Sequence, residues 1–178
     1  VEEALRSASV SAYISEERDR GVMLSDEGSI LVACDPLDGS SNIDTNLTVG
    51  TIFSVLPFEE HSMLLRGDSQ VAAGFFAYGP QTSLLLTLGY GVVAFCLDGT
   101  GEFRRMDWQI IIPKTTSEFA INASNSRHWH QEISDYINNL LAGETGPRGQ
   151  NFNMRWAGSL VADAFRIFRR GGIFLYPS

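Results

Sequence analysis

The sequence has 178 residues, 44% hydrophobic and 19% charged, which allows a domain with a real core and excludes a disordered composition. Lys and Arg number 13 against 21 Asp and Glu, and the net charge of −8 repels phosphate backbones, so nonspecific nucleic-acid binding is not expected. No apolar run reaches the roughly 18 residues of a membrane span. Residues 1–6 carry Glu2 and Glu3 and no apolar signal core, so neither a signal peptide nor a membrane partner is expected. Cys34 and Cys96 stand far apart inside apolar runs and read as reduced core residues of a cytosolic or organellar protein, with no disulfide framework and no Cys-rich zinc site. The chain starts at Val1 and stops at Tyr176-Pro177-Ser178 after an apolar run, and so reads as cut at both ends.

Residues 10–14 and 30–34 are short β-prone runs between polar turns. Residues 49–56 form a third, and residues 71–78 a fourth that ends at the turn Gly79-Pro80. Two more, 83–88 and 91–97, flank a hairpin connection at Gly89-Tyr90, and Asp98-Gly99-Thr100-Gly101 marks the next turn. This stretch predicts a mostly meandering sheet. From Pro113 the texture changes. Residues 119–122 predict a strand, 129–141 a helix closed by Gly143, and 143–150 a Gly/Pro-rich loop. Trp156, Leu160, Val161, Ala164, Ile167 and Phe168 recur at helical spacing; Gly171-Gly172 stops that helix, and a strand follows at 173–176. The expected fold is a layered α/β (α+β) arrangement of two sheet-containing domains. Residues 1–112 would be the C-terminal part of a first, metal-binding sheet domain, and residues 113–178 the N-terminal part of a second, substrate-binding α/β domain.

The densest chemical signal is Asp35-Pro36-Leu37-Asp38-Gly39-Ser40-Ser41-Asn42, directly after an apolar strand. Two carboxylates three residues apart on a loop leaving a buried strand can converge on one hard cation, with Pro36 fixing the turn between them. Gly39, Ser40 and Ser41 then offer backbone N–H groups and hydroxyls to an anion. Carboxylates for metal followed by amides for phosphate is the layout of metal-assisted phosphate-ester hydrolysis. A second acidic pair, Glu16-Glu17, ends the strand at 10–14 and meets the Asp35 segment if the two strands lie side by side. His61, His128 and His130 have no metal-ligand spacing and receive no site role.

The motifs Ile14-Ser15-Glu16-Glu17, Asp35 through Asp44 and Val49-Gly50-Thr51-Ile52-Phe53 closely resemble class I fructose-1,6-bisphosphatase. So do Phe119-Ala120-Ile121-Asn122-Ala123-Ser124-Asn125, Met154-Arg155-Trp156, the run Ser159 to Asp163, and Gly171-Gly172-Ile173-Phe174-Leu175-Tyr176-Pro177. The resemblance is collinear over nearly the whole chain and bacterial in flavour. The Asp-Pro-Leu-Asp-Gly core is shared with inositol monophosphatase-like enzymes, whereas the longer strings are more specific.

That resemblance implies magnesium-dependent hydrolysis of the 1-phosphate of fructose 1,6-bisphosphate, in gluconeogenesis or the Calvin cycle, by a cytoplasmic homotetramer. Manganese is a possible substitute metal. It implies that Glu16, Asp35 and Asp38 hold the metal by carboxylate and Leu37 by its main-chain carbonyl, while Glu17 positions or deprotonates the attacking water with Asp38. Asp38, Gly39, Ser40 and Ser41 would hold the departing phosphate. Asn122, Asn125 and Tyr176 would bind the 6-phosphate, Arg155 would reach the 6-phosphate of a neighbouring subunit, and Gly158, Ser159 and Leu160 would line the sugar. Asn125 and Trp156 stand where a Tyr is usual in animal enzymes, and Ser29, Ile30 and Pro57 replace groups that contact AMP in the inhibited members. The rival readings are sedoheptulose-1,7-bisphosphatase or dual activity, suggested by Asp44-Thr45-Asn46 and Thr48-Val49-Gly50, and a non-catalytic regulatory or interaction fragment of the same fold.

Overall fold

The computed structural model describes residues 1–59, 66–106 and 110–177; His61 lies outside the described residues. Helix α1 (Glu2–Arg6) leads into β1 (Val10–Ser15), β2 (Val22–Met23), β3 (Ile30–Asp38), β4 (Val49–Pro57), β5 (Ala72–Tyr78), β6 (Thr82–Thr87), β7 (Val92–Leu97) and β8 (Phe103–Arg105). After these come β9 (Glu118–Ile121), α2 (Gln131–Leu141), β10 (Asn153–Met154), α3 (Leu160–Arg170) and β11 (Phe174–Leu175). The fold is thus a sheet-rich mixed α/β arrangement.

Two sheets form among the described residues. One has eight strands in the order β2-β1-β3-β4-β5-β6-β7-β8; the other has three in the order β10-β9-β11. From β3 to β8 every neighbour is antiparallel and consecutive, as expected for β-prone runs punctuated by short polar turns. The exception is β1, which pairs parallel with β3. That parallel pair, the one in the large sheet among the described residues, brings the C-terminal ends of two strands together, and both ends carry carboxylates.

Helix α3 covers β4 and β5 of the large sheet although it follows the texture change at Pro113. Its Val161, Ala164, Phe165 and Phe168 pack on Phe75, Leu85 and Ala94, with the Phe75 and Phe168 ring centroids 6.0 Å apart. Helix α2 closes the small sheet through Ile137 and Leu140 against Phe119 and Ile121. Leu85 is 1% exposed at the centre of the first cluster. Leu85→Ala is expected to cost about 2–5 kcal/mol, from lost transfer energy plus the cavity left behind, read as a lower urea midpoint at unchanged slope.

Several expected boundaries shift for local reasons. Trp156 lies outside α3, which starts only at Leu160. The Ser159 hydroxyl caps its first turn by accepting from the Ala162 N–H at 3.4 Å. The helix stops at Gly171, whose φ of +74° suits glycine, and whose N–H donates to the Ile167 carbonyl at 2.8 Å. Helix α2 begins at Gln131, after a 3-10 segment Ala123–His128, so Trp129 precedes it. The 83–88 and 91–97 strands are joined by a four-residue connection from Leu88 to Gly91, longer than Gly89-Tyr90. Strand β3 also runs beyond Cys34 to Asp38, so Asp35 and Asp38 sit on a strand end, and not on a loop.

Candidate active site

The last register pair of β1 and β3 is Ser15 with Cys34, so Glu16 and Asp35 leave the sheet side by side. A hollow walled by Ile14, Ala33, Cys34, Ile52 and Phe53 opens beside them. Desolvation there is the largest cause holding the Glu16 carboxyl above its usual range; the charge of Asp35 and a hydrogen bond with it come next, then the charges of Glu17 and Asp38. Asp35→Asn should therefore lower the Glu16 pKa toward, but not onto, the ordinary glutamate value, because the desolvation remains. A side-chain NMR titration reads this, and an unmoved or higher Glu16 pKa would contradict the pairing.

Beyond Asp35 the ladder slips. Pro36 has no N–H to give, and the β3–β4 register shifts between Asp35 and Asp38. Three hydrogen bonds hold this bulge. Asp35 Oδ1 accepts from the Leu37 N–H at 3.0 Å, and the Thr51 hydroxyl donates to the Pro36 carbonyl at 2.9 Å. The Tyr78 hydroxyl lies 2.9 Å from Thr51 Oγ1 and donates to it, since the Thr51 proton is spent on Pro36.

Asp38 turns toward α3. Its Oδ2 accepts from the Ser159 hydroxyl at 2.8 Å and from the Val161 N–H at 2.9 Å, two of the donors grouped at a helix start. Gly39 follows at φ +75°, and a Cβ there would lie 2.6 Å from Ser159 Cβ, so only glycine lets the two chains approach. A single 3-10 turn, Ser40–Asn42, leaves Ser40 and Ser41 exposed and buries Asn42. Glu17 is exposed, and its N–H donates to Ser15 Oγ at 3.3 Å.

Among the described residues no three His, Cys, Asp or Glu side chains gather into a metal-binding cluster. What forms is the Glu16–Asp35 pair, with Asp38 held nearby by α3. Magnesium is commonly held by one or two carboxylates plus water and substrate phosphate, so a repelling carboxylate pair fits such an ion.

The small sheet carries the rest. Strands β9 and β11 are parallel, and their last pair, Ile121 with Leu175, places Asn122 and Tyr176 one step further at the same sheet end. Tyr176 is 68% exposed and its ring is stacked with those of Trp156 and Phe174, at centroid separations of 6.2 and 6.5 Å. The Asn122 carbonyl oxygen accepts from both the N–H and the hydroxyl of Ser124, and the Asn125 N–H donates to the Asn122 main chain at 3.1 Å. Arg155 is exposed, with its guanidinium 3.9 Å from Glu118; among the described residues no side-chain hydrogen bond joins it to Asn122 or Tyr176. Burial pushes Glu118 up, but Arg166, Arg170 and Arg155 outweigh it and hold the carboxyl below its ordinary range. His128 accepts from the Arg127 guanidinium at 3.1 Å and His130 precedes α2, so neither joins the site.

Gly158, Ser159 and Leu160 form the start of α3 beside Asp38. Four polar residues at this junction received no role from sequence: Asn42, Thr51, Tyr78 and Asp163. Asp163 is 2% exposed, and its carboxylate oxygens accept from the Ala157 N–H at 3.3 and 3.2 Å. An acid on the apolar side of an amphipathic helix was the available signal.

Comparison with known proteins accounts for both sheets. The family model for the fructose-1-6-bisphosphatase N-terminal domain matches residues 1–107, and that for the C-terminal domain residues 112–178. The fructose-1,6-bisphosphatase class 1 of Rhodopseudomonas palustris strain HaA2 is 54% identical over 178 residues, covering 98% of this chain and 52% of the relative. That of strain BisB18 is 56% identical over 170 residues, covering 93% and 49%. The Leishmania major fructose-1,6-bisphosphatase in apo form superposes with a TM-score of 0.90 at 34% identity, covering 99% of this chain and 60% of that one. Its T-state structure gives 0.91 at 35%, covering 99% and 58%. The chain spans about half the length of the curated relatives it matches. With two domain models matched end to end and half of its residues identical to such relatives, the chain belongs to the fructose-1,6-bisphosphatase family.

Proposed function

We propose that the enzyme to which this chain contributes hydrolyses the 1-phosphate of fructose 1,6-bisphosphate, giving fructose 6-phosphate and phosphate. The observation that carries this reading is the meeting of Asp38, beside the Glu16–Asp35 pair, with the start of α3. Carboxylates, exposed serine hydroxyls and a sugar-facing helix start then share one junction. Glu16, Asp35, Asp38 and the Leu37 carbonyl would hold magnesium, with manganese as substitute. The ion would supply charge neutralisation on the phosphoryl oxygens. Glu17, exposed at the strand end, would orient the attacking water and take its proton. Gly39, Ser40 and Ser41 would hold the departing phosphate by N–H and O–H donation. Asn122, Asn125 and Tyr176 would seat the 6-phosphate, and the main chain of Gly158, Ser159 and Leu160 would line the sugar.

The supporting domain division lies near Pro113, with α3 carrying the second unit's residues onto the first sheet. Arg155, exposed with its guanidinium near Glu118, would serve a neighbouring copy in a homotetramer. A cytoplasmic setting is part of the same proposal; among the described residues no helix is long and apolar enough to cross a membrane.

The test is phosphate release by the full-length enzyme with and without magnesium, on fructose 1,6-bisphosphate, sedoheptulose 1,7-bisphosphate and inositol 1-phosphate. A magnesium-dependent kcat/KM highest for the fructose ester is expected. Equal constants for the two bisphosphates would overturn the narrower substrate assignment, and no release on any of them would leave a non-catalytic member of the fold.

A further inference from the structure

Both main-chain polar groups of Ala157, one in each flanking peptide unit, are held by side chains. Its carbonyl accepts from the Asn42 side-chain amide at 2.9 Å, across 115 residues of sequence. Its N–H donates to the Asp163 carboxylate at 3.3 and 3.2 Å. Asn42 is 9% exposed and Asp163 2% exposed, so neither grip is a surface accident that water can replace. A second backbone hydrogen bond, from Gly158, also reaches Asp163. Two and four residues beyond Ala157, Ser159 and Val161 hold Asp38 by Oδ2. Asn42 itself closes the 3-10 turn that begins just after Asp38, with its N–H donating to the Gly39 carbonyl at 2.8 Å. The segment 38–42 and the segment 157–163 are thus tied at two points, Asn42 to Ala157 and Asp38 to the start of α3, while the bond from Ala157 to Asp163 braces the second segment internally.

We infer that Asn42 and Asp163 are positioning residues: by clamping the main chain of Ala157 between them they fix the Gly158–Ser159 segment, and through it the orientation of the Asp38 carboxylate. This inference rests on Asp38 belonging to the site proposed above. The alternative is that both residues merely satisfy buried polar groups of the fold. The two differ in what removal does. A structural role lowers stability and leaves the chemistry of the surviving folded molecules unchanged. A positioning role lets Ser159 and Val161 drift, so that Asp38 loses its fixed rotamer while substrate groups on the small sheet stay in place. Displacement of a reacting group by about 1 Å costs on the order of a hundredfold in rate. Since both residues act through the main chain of one residue, Ala157, their effects on rate should not add.

The experiment compares Asn42→Ala, Asp163→Ala, the double variant and Asp163→Asn in the full-length enzyme. Two readouts are taken below each variant's melting range: steady-state kcat and KM, and amide hydrogen exchange at Val161. Each alanine variant should lose about tenfold to a hundredfold in kcat with KM changed by less than about threefold, and the double variant should be little worse than the poorer single one. Val161, which neither residue touches, should exchange at least about tenfold faster as its bond to Asp38 loosens. Asp163→Asn keeps an acceptor for the Ala157 N–H and should recover most of the kcat. Wild-type kcat and wild-type Val161 exchange in the alanine variants, with only Tm lowered, would overturn the inference. If the unaltered enzyme released no phosphate, the proposed activity would fail, while the Val161 exchange would still decide for or against the clamp.

Discussion

Asp38→Asn in the full-length enzyme is expected to lose at least about a hundredfold in kcat while melting within a few degrees of the unaltered protein. The two halves of that expectation come from the two jobs of one side chain. As an acceptor, Asp38 serves the Ser159 hydroxyl and the Val161 N–H through a single oxygen, Oδ2. Asparagine retains one carbonyl oxygen and can keep that arrangement, so the junction survives. As a charge, Asp38 completes the acidic group around Glu16 and Asp35, and asparagine removes it. Asp38→Ala should behave differently. It leaves the Val161 N–H without its acceptor near the covered helix start, at about 1–3 kcal/mol, and so combines the rate loss with a lower Tm. Thermal melting and magnesium-dependent phosphate release on the pair of variants separate the roles. Near-normal turnover by Asp38→Asn would remove Asp38 from the reaction and leave it a structural acceptor.

Most of the scaffold could be read locally. Strands β3 to β7 are short β-prone runs cut by Gly, Pro and Asp turns, and the structure joins them as the consecutive meander that pattern predicts, whereas β8, three exposed residues after the Asp98 turn, is not read from the sequence. Glu16 and Asp35 could be placed together because both end apolar strands; their adjacency then needed only the parallel β1–β3 pair. The misses share a cause. Trp156 has the i+4 spacing of Leu160 and so joins the helical pattern on paper, but Gly158 and the Ser159 cap start the helix later and free the indole to stack with Phe174 and Tyr176. Asp35 to Asp38 looks like a loop because of its turn-forming residues, yet antiparallel pairing with β4 resumes at Asp38 opposite Gly50 once the bulge is passed. Asn42 carries no local signal of its function, and Asp163 carries only that of an acid on the apolar side of α3, which does not name its partner. The partner of each is a main-chain group that sequence patterns do not see, and for Asn42 that partner is 115 residues away. Periodicity reports which face of an element is buried. It says nothing of what a buried polar atom finds there.

Gly50 is where those tertiary demands concentrate, and Gly50→Val is expected to be the most disruptive single change in the chain. The residue is buried on β4, opposite Asp38 on one side and Ala77 on the other. A Cβ at position 50 would press into the Phe76 carbonyl oxygen and stand 2.6 and 2.9 Å from the two Val161 methyl carbons. Neither neighbour can step aside cheaply. The Phe76 carbonyl belongs to the central ladder, and Val161 is fully buried at the start of α3. Overpacking of this kind costs about 1–3 kcal/mol when the surroundings can adjust, and more when main chain must move. The same displacement carries the Val161 N–H and the Ser159 hydroxyl away from Asp38, so the chemistry should fall along with the stability. Gly50→Val should therefore reach a lower urea midpoint and lose most of its activity even in the fraction that remains folded. Gly50→Ala should show the same signs at smaller size. Adding Val161→Ala to Gly50→Ala should return part of the stability, because it clears the methyl contact but leaves the Phe76 carbonyl. A Gly50→Val protein with the unaltered urea midpoint and kcat would mean that α3 does not need this close approach to hold Asp38.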